Sequence, residues 1–448
     1  MSHEILELLA EKKYSAVKQL IAQMEEADLA KLFEELESEE DADQFNRLFR
    51  LLPKETAAEV FSYMEPEIQE KIVRALTDTE LQHILDDLFM DDYVDLVEEM
   101  PANVVKRVMQ NSTPENRKLI NQYLKYPEDS AGSLMTNEYV YFRSGFTVAR
   151  AFEIIREHGV DKETIYTCYV TSLRKELLGV VTVREMLLAA PDTIIDSLMD
   201  TNPIHVHTHD DQEEIAKMFS RYDMLAMPVV DSEGRIVGII TIDDAVDVIQ
   251  DENTEDIKKM AAIIPSDEDY MKTSVWSLVA HRLPWLMLLM ISATFTSTII
   301  THFETLLSGA VLLTAFIPML MDSAGNSGSQ TSVTVIRNLA LGEIEMKDWP
   351  RVLVKEIGVA VVAGAALAVV NFLRIIIFTS TSTMIAAVVS ITLFCTVIIA
   401  MIVGCLLPIG AKRLGFDPAV MASPMITTIV DACSLMIYFL IASTMLGL

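Results

Sequence analysis

Hydrophobic and polar positions follow three successive patterns along the 448 residues of the chain. In the first pattern, between about residues 50 and 120, apolar residues recur every twelve positions in two registers. The first register holds Leu52, Met64, Leu76, Leu88 and Met100, and the second holds Val60, Ile72, Ile84, Leu96, Val108 and Ile120. The repeat predicts one short helix and a turn per unit. Helices of this length are not stable alone, so we expect them to stack into an α-solenoid.

The second pattern begins near residue 131 and consists of two copies of strand, helix and paired strands. The later copy, MPVVDSEGRIVGIITIDDAVDVI, has two β-branched runs around the turn DSEG and a helix after Thr241. It resembles the tandem cystathionine-β-synthase (CBS) domain. In that family a Thr and an Asp three residues later can hold a nucleotide, which implies Thr241 and Asp244 here. The first copy has Thr182 and Glu185 instead, a departure that argues against nucleotide binding there.

Acidic side chains are concentrated in the repeat region and after the second CBS copy. Asp91, Asp95 and Glu98 share one helix face. The stretch IDDAVDVIQDENTEDIKKM predicts a highly charged helix, whose acids include Asp244, Asp247, Asp251, Glu252, Glu255 and Asp256. Like charges at these spacings destabilise a helix by about 0.2 to 0.5 kcal/mol per pair, and a divalent cation would remove that cost. Oxygen ligands suit Mg²⁺ or Ca²⁺. A solvated helix face is the alternative interpretation.

Three histidines, His205, His207 and His209, alternate in NPIHVHTHD. On a strand their imidazoles would lie on one side, which is compatible with a transition-metal site. A surface strand leading into a loop is the favoured interpretation.

The third pattern is a series of five apolar segments near or above the ~20 residues that a spanning helix needs. They run over about 284–303, 309–336, 354–378, 384–408 and 419–446. Lys and Arg residues are concentrated at alternate ends of these segments. By the positive-inside rule, this distribution predicts a cytoplasmic N-terminus and an external C-terminus. The fifth segment contains Asp431. A carboxylate inside a bilayer costs roughly 2.5 to 3.5 kcal/mol, so its presence indicates a function such as cation passage.

The second segment is interrupted by FIPMLMDSAGNSGSQTSV, which contains Asp322 and Asn326. A lipid-facing helix tolerates such a stretch badly, so the sequence favours a helix that lines a watery cavity. Close helix packing at the small residues is the alternative.

Net charge separates the two ends of the chain. Residues 1–275 hold 57 of the 65 acidic and 27 of the 35 basic residues, and therefore the whole formal charge of −30. This excess argues against nucleic acid as a partner and favours small cations. The N-terminus has no cleavable signal pattern. The four cysteines have no CxxC spacing, which argues against a disulfide framework or a zinc-cysteine site.

Taken together, YPEDSAGSLMT, FIPMLMDSAGNSGSQ and DPAVMASPMITTIVDACSLMIYF resemble the MgtE family of magnesium channels over essentially the whole chain. The resemblance implies a multidomain, mainly α fold. Its parts would be an acidic helical N domain over 1–130, an α/β tandem CBS domain over 131–250, a connecting helix over 251–275 and a five-helix transmembrane pore domain over 276–448.

The resemblance also implies a homodimer in the cell membrane, with Asp431 of both subunits in a shared pore. Thr427, Thr428 and Asn326 would contact the hydration shell of the ion. Cytosolic Mg²⁺ would close the pore by bridging acids of the cytosolic domains, namely Asp91, Asp95, Asp211, Glu213, Asp223, Asp244, Asp247, Glu252, Glu255 and Asp256. ATP is a further expected ligand of the CBS domains.

The function predicted is Mg²⁺ uptake through a channel that cytosolic Mg²⁺ closes. A Mg²⁺/Co²⁺ carrier or exchanger of the same fold is the first alternative, and a nucleotide-sensing regulator with a membrane anchor is the second. An enzyme is not expected, because the chain has no Ser/His/Asp order, phosphate-binding Gly-rich loop or paired acid/base cleft.

Overall fold

The computed structural model describes residues 2–37, 42–266, 270–303, 311–379, 381–421 and 423–447. Two compact units divide the chain, Met1–Ile249 and Gln250–Leu448. Residues 309 and 310 of the second predicted span lie outside the described ranges. Each unit is considered by itself below.

The first unit opens with short helices that confirm the twelve-residue repeat. The helices are α1 Ser2–Ala10, α2 Tyr14–Ile21, α3 Glu26–Glu37, α4 Ala42–Phe49, α5 Lys54–Ser62, α6 Pro66–Ala75, α7 Asp78–Asp87, α8 Met90–Glu99, α9 Ala102–Asn111 and α10 Pro114–Tyr123. From α5 onward each repeat contributes one helix. The second register is buried in a common core, with Val60, Val108 and Ile120 at 0 % exposure.

The first register explains why each helix stops where it does. Leu76, Leu88 and Met100 directly follow α6, α7 and α8 as their C-terminal caps, and each has extended backbone angles. Pro66 and Pro114 occupy the first turn of the helices that they begin, where proline loses no hydrogen bond. Apolar side chains therefore anchor both the helices and the turns between them.

The short helix α11 Ala131–Leu134 leads into two CBS copies of the predicted kind. The first copy consists of β1 Tyr139–Arg143, α12 Val148–His158, β2 Thr164–Thr171, β3 Leu177–Thr182 and α13 Val183–Leu188. The second consists of β4 Val206–His207, α14 Gln212–Tyr222, β5 Ala226–Val230, β6 Ile236–Thr241 and the start of α15 Ile242–Met260. In both sheets the first strand pairs parallel and the last antiparallel to the middle strand. Gly234, with φ +75°, closes the DSEG turn.

The second unit contains the end of α15 and five long helices. These are α16 Val275–His302, α17 Ile317–Ala340, α18 Trp349–Phe378, α19 Thr383–Arg413 and α20 Ser423–Leu446. The acidic helix α15 ends at Met260, within the segment 251–275 predicted to connect the domains. The domain boundaries themselves remain a prediction.

Four segments in the described residues are long and apolar enough to cross a membrane: Val275–His302, Met346–Phe378, Thr383–Arg413 and Pro424–Leu446. The predicted count of five spans is therefore not confirmed. The difference is α17, because its Ser, Asn, Asp and Gln residues lower its hydropathy. Its 24 residues would nevertheless extend about 36 Å, enough to cross the hydrocarbon layer.

Helix α19 is the centre of this unit and packs against α17, α18 and α20. The two helices α19 and α17 approach closely at Gly404, where an added Cβ would overlap the carbonyl oxygen of Gly328. Small residues therefore let these two helices meet backbone to backbone. Helix α16 differs from the others, since none of its 28 residues is buried.

Candidate ion pathway and acidic cluster

Asp431 lies in α20 with its side chain half-buried. One turn earlier, the hydroxyls of Thr427 and Thr428 donate to the carbonyl oxygen of Pro424, at 2.9 and 3.1 Å. Their protons are used in these bonds, so the hydroxyl oxygens remain as acceptors for water. A carboxylate and two acceptor oxygens on one helix suit an ion that keeps its hydration shell.

Helices α17 and α20 run antiparallel, as three contacts at different heights demonstrate. Tyr438 donates to the carbonyl of Leu313 at 2.9 Å, just before α17 begins. Near the middle, a Cβ added at Gly325 would lie 3.1 Å from the Thr427 methyl group. At the other end, Ile336 packs with Ala419. The missing side chain at Gly325 thus brings α17 against the face of α20 that carries Thr427.

Asn326 follows Gly325 and is exposed on α17. Its amide nitrogen donates to Asp322 Oδ1 at 3.2 Å. All four predicted pathway residues, Asp431, Thr427 and Thr428 of α20 and Asn326 of α17, therefore belong to one pair of packed helices. Thr428 is on the neighbouring face of α20, about 100° around the helix from Thr427.

In the first unit, acids from three elements form an acidic cluster: Asp91, Asp92 and Asp95 of α8, Glu163 just before β2, and Asp243 and Asp244 of α15. Burial raises the pKa of Asp91 well above its usual value, and Asp92, Asp244 and Glu163 add to the shift by repulsion. Asp95 is at the exposed rim, yet desolvation and then Glu99 raise its pKa to about 7. The cluster is therefore held together against its own charge.

Burial and mutual repulsion also raise the pKa values of other acids in the cluster. Desolvation followed by repulsion from Asp243 raises the pKa of Glu163 to about 8 and that of Asp244 to about 6. Glu163 Oε2 is buried and has no hydrogen-bond partner among the described residues. Desolvation and Asp243 also raise the pKa of Asp247. A cation near these groups would stabilise their charged forms.

The predicted sensing residues of α14 lie at its two ends. Asp211 caps the start of α14 and accepts from the backbone N–H of Glu213 at 3.0 Å, while Glu213 pairs with Lys217 at 2.9 Å. Asp223 ends the same helix in a left-handed conformation, φ 51°. The eleven residues of α14 separate the two ends by about 16 Å, so one ion cannot bridge them within a chain.

Glu252, Glu255 and Asp256 belong to the end of α15, in the second unit. Lys259 Nζ lies 2.7 Å from Glu255 Oε1 and 2.7 Å from Asp417 Oδ2 in the link before α20. Arg337 of α17 donates to Asn253 Oδ1 at 2.9 Å. These contacts attach the end of α15 to the membrane helices, with Lys259 as a cation between two carboxylates.

The residues predicted to bind nucleotide contact each other. The Thr241 hydroxyl donates to Asp244 Oδ2 at 2.9 Å, and Thr241 is only 6 % exposed. This pair caps the start of α15. A ribose hydroxyl could replace the threonine at Asp244. The acidic cluster would repel the phosphates unless a cation accompanied them.

The alternating histidines do not form a ligand set. His205 and His207 have ring centroids 5.8 Å apart, whereas His209 contacts Thr208 and the ring of Tyr126. Throughout the described ranges, no group of three or more His, Cys, Asp or Glu side chains is placed to hold a metal directly.

Sequence reasoning missed Asp92, Glu163 and Asp243 as members of the cluster, and Lys259 and Asp417 as a contact. Asp92 and Asp243 are next to predicted acids, so their neighbours in the sequence were a signal. Glu163 had none, because only the fold of the first CBS copy brings it beside α8 and α15.

Known proteins resemble this chain along its whole length. Residues 317–441 match MgtE, described as a divalent cation transporter, 24–129 match the MgtE intracellular N domain, and 131–192 and 195–251 match CBS domains. The magnesium transporter MgtE of Thermus thermophilus is 35 % identical over 98 % of this chain and 97 % of its own. That of Bacillus subtilis is 32 % identical over 98 % and 96 %.

Solved structures agree with this assignment. The cytosolic domain of the Mg²⁺ channel MgtE in complex with ATP aligns with a TM-score of 0.52 and 35 % identity, covering 55 % of this chain and all of that one. The soluble part of a magnesium transporter aligns with a TM-score of 0.52 and 27 % identity, covering 56 % and 97 %. Since two relatives exceed 30 % identity over nearly the entire length, the chain belongs to the MgtE family of divalent cation transporters.

Proposed function

We propose that this chain is a Mg²⁺-selective channel for magnesium uptake and that cytosolic Mg²⁺ closes it. The observation that carries the proposal is Asp431, a carboxylate inside an apolar helix that packs on the polar helix α17. A hydrated divalent ion offsets the cost of that charge. The relatives that share this architecture are named magnesium transporters, which supports transport rather than catalysis.

The proposed pore lies between two copies of the chain in the cell membrane. A homodimer would bring two Asp431 carboxylates together, and they would repel each other unless a cation lay between them. It would also cover exposed surface of the second unit, including the polar face of α17. In the proposed orientation the N-terminus is cytoplasmic and the C-terminus external, in line with the distribution of basic residues.

The proposed gating depends on electrostatic repulsion within the acidic cluster. At low Mg²⁺, repulsion among Asp91, Asp244 and Glu163 favours separation of the elements that carry them. At high Mg²⁺, hydrated ions offset that repulsion and hold α15 in place. Converting a mostly open to a mostly closed population takes about 5.5 kcal/mol of differential binding, which several weak sites can supply together.

ATP is the second ligand that we propose for the first unit. The solved relative carries it on its cytosolic domain, and Thr241 and Asp244 offer a hydroxyl and a carboxylate at the start of α15. Calorimetry with ATP tests this directly. An Asp244→Asn variant that binds ATP as tightly as the parent would contradict the assignment.

Dye-reported Mg²⁺ uptake into vesicles tests the channel proposal. We expect uptake by the parent protein and almost none by Asp431→Asn, because the neutral amide cannot offset the charge of the ion. Asp348→Asn, an acid in the link before α18, serves as the matched control. Full uptake by Asp431→Asn would refute the proposed pathway.

A further inference from the structure

Helix α17 carries a polar stripe along the face that its own chain leaves exposed. The stripe consists of Asp322, Asn326, Gln330 and Thr334, which recur every fourth residue and are all exposed. The other faces of α17 are buried against α19 and α20, for example through Ala324. Hydrocarbon cannot cover four such side chains, so in the membrane this face must meet water or protein.

Asp322 lies at nearly the same depth as Asp431. The contact between Gly325 and Thr427 gives a common reference height. Asp322 is three residues before Gly325, and Asp431 is four residues after Thr427. Because the helices are antiparallel, both displacements point toward the same membrane surface, by about 4.5 and 6 Å. Each chain therefore offers two carboxylates at one level.

A buried hydroxyl about one turn beyond Asp431 also lacks a partner among the described residues. Ser434 is 2 % exposed, and its Oγ has no hydrogen bond among the described residues. Thr427, Asp431 and Ser434 are spaced i, i+4, i+7 and so share one face of α20. A buried hydroxyl without a partner is costly, and a water molecule of a hydrated ion would satisfy it.

Arg374 is a basic residue in the same half of the membrane as Asp322, but its contacts are with other residues. Arg374 of α18 donates to Asn371 Oδ1 at 2.9 Å and lies 3.0 Å from Met319 Sδ. Asp322 accepts instead from the neutral amide of Asn326, at 3.2 Å. Its negative charge is thus available to an ion.

From these observations we infer that Asp322 is a second pore carboxylate, which together with Asp431 sets the affinity for entering Mg²⁺ and its preference over monovalent ions. The inference rests on the proposed channel. Clefts lined by one sign of charge concentrate counter-ions. Asp431 lies between the two helices, whereas Asp322 attracts the ion and binds it next to Asp431.

Uptake by substituted proteins tests the inference. We expect Asp322→Asn to raise the external Mg²⁺ concentration for half-maximal uptake roughly tenfold and to increase Na⁺ flux relative to Mg²⁺ flux. Asp322→Glu should restore both quantities. Glu343→Gln removes an exposed charge in the link after α17 and is the matched control. Uptake is normalised to the amount of folded protein in the vesicles.

The outcomes separate this inference from the channel proposal. If Asp431→Asn abolishes uptake while Asp322→Asn behaves as Glu343→Gln does, Asp322 has no role in permeation and the inference is wrong. If Asp431→Asn transports normally, the channel proposal itself fails.

Thiol labelling gives a second readout that does not depend on flux. In a chain with all four native cysteines replaced, we expect Asp322→Cys to react with a charged, membrane-impermeant thiol reagent and Mg²⁺ to slow the reaction. Val362→Cys, on an apolar and 71 % exposed position of α18, should stay unreactive in lipid. An Asp322→Cys variant as unreactive as Val362→Cys would overturn the inference.

Discussion

At the scale of single residues, the membrane unit depends on the absence of side chains at specific points. Gly328 faces Ile426, whose Cγ2 would lie 2.8 Å from an added Cβ, and Gly404 faces the backbone of Gly328 itself. A flexible side chain can move away from such a clash, but helix backbone cannot. These glycines therefore fix how closely α19 and α20 approach the polar helix α17.

Gly404→Ala should destabilise the membrane unit by about 1 to 3 kcal/mol, the usual cost of overpacking. Thermal unfolding in detergent, followed by fluorescence of the tryptophans, all of which lie in this unit, measures the effect. Gly410→Ala is the matched control in the same helix, because nothing lies within 4 Å of its added Cβ. Equal unfolding temperatures for the two variants would contradict the packing described.

At the scale of elements, the acidic cluster couples protons to cations. Carboxyls with raised pKa values stabilise the folded unit most at a pH below their ordinary values of about 4. They lose that contribution as the pH rises through the folded values of about 6 for Asp244, 7 for Asp95 and 8 for Glu163. Without a cation, the first unit should therefore lose stability progressively as the pH rises from about 4 to 8.

Mg²⁺ binding to the cluster should release protons. At pH 7 we expect release on the order of one proton per chain, because the ion favours the ionised carboxyls. At pH 9 the release should nearly vanish, since the carboxyls are already ionised. Titration in weak buffer with an indicator dye measures it. Glu163→Gln should reduce the release at pH 7, and equal release at both pH values would show that these groups do not bind the ion.

The contact of Lys259 with Glu255 and Asp417 should favour the closed state, because it holds α15 on the membrane helices. We expect Lys259→Gln or Asp417→Asn to raise the internal Mg²⁺ concentration that halves uptake roughly two- to fivefold. This change corresponds to the loss of about 0.5 to 1 kcal/mol, the usual contribution of a partly exposed ion pair. The double variant should shift less than the sum of both. Lys347→Gln, from an exposed ion pair with Glu345, is the control. Additive shifts would refute the coupling.

At the scale of the whole molecule, patterns of short range were read correctly from the sequence. The twelve-residue repeat and the apolar helices follow from spacing, because each is set by local burial. The two CBS copies were predicted from their strand and turn pattern together with a resemblance to that family. Asp431 stood out because charge is rare in a spanning helix. The predicted count of five spans was not confirmed, because the polar stripe of α17 lowers the hydropathy of that helix.

Contacts between distant parts of the chain could not be read in this way. Glu163 meets α8 only through the fold of the first CBS copy, and Asp322 reaches the level of Asp431 only because α17 and α20 are antiparallel. Lys259 is separated from Asp417 by most of the membrane unit. Such pairs depend on tertiary packing, for which a single sequence has no periodic signal.

Electrical recording from the purified protein in a planar bilayer tests the proposed Mg²⁺-gated channel most directly. Mg²⁺ is the only permeant cation, and its concentration is varied on the side of the N-terminal unit. We predict unitary current steps that become rarer as that concentration rises. Transport of Mg²⁺ without unitary steps would indicate a carrier, and steps whose frequency ignored Mg²⁺ would contradict gating by the acidic cluster.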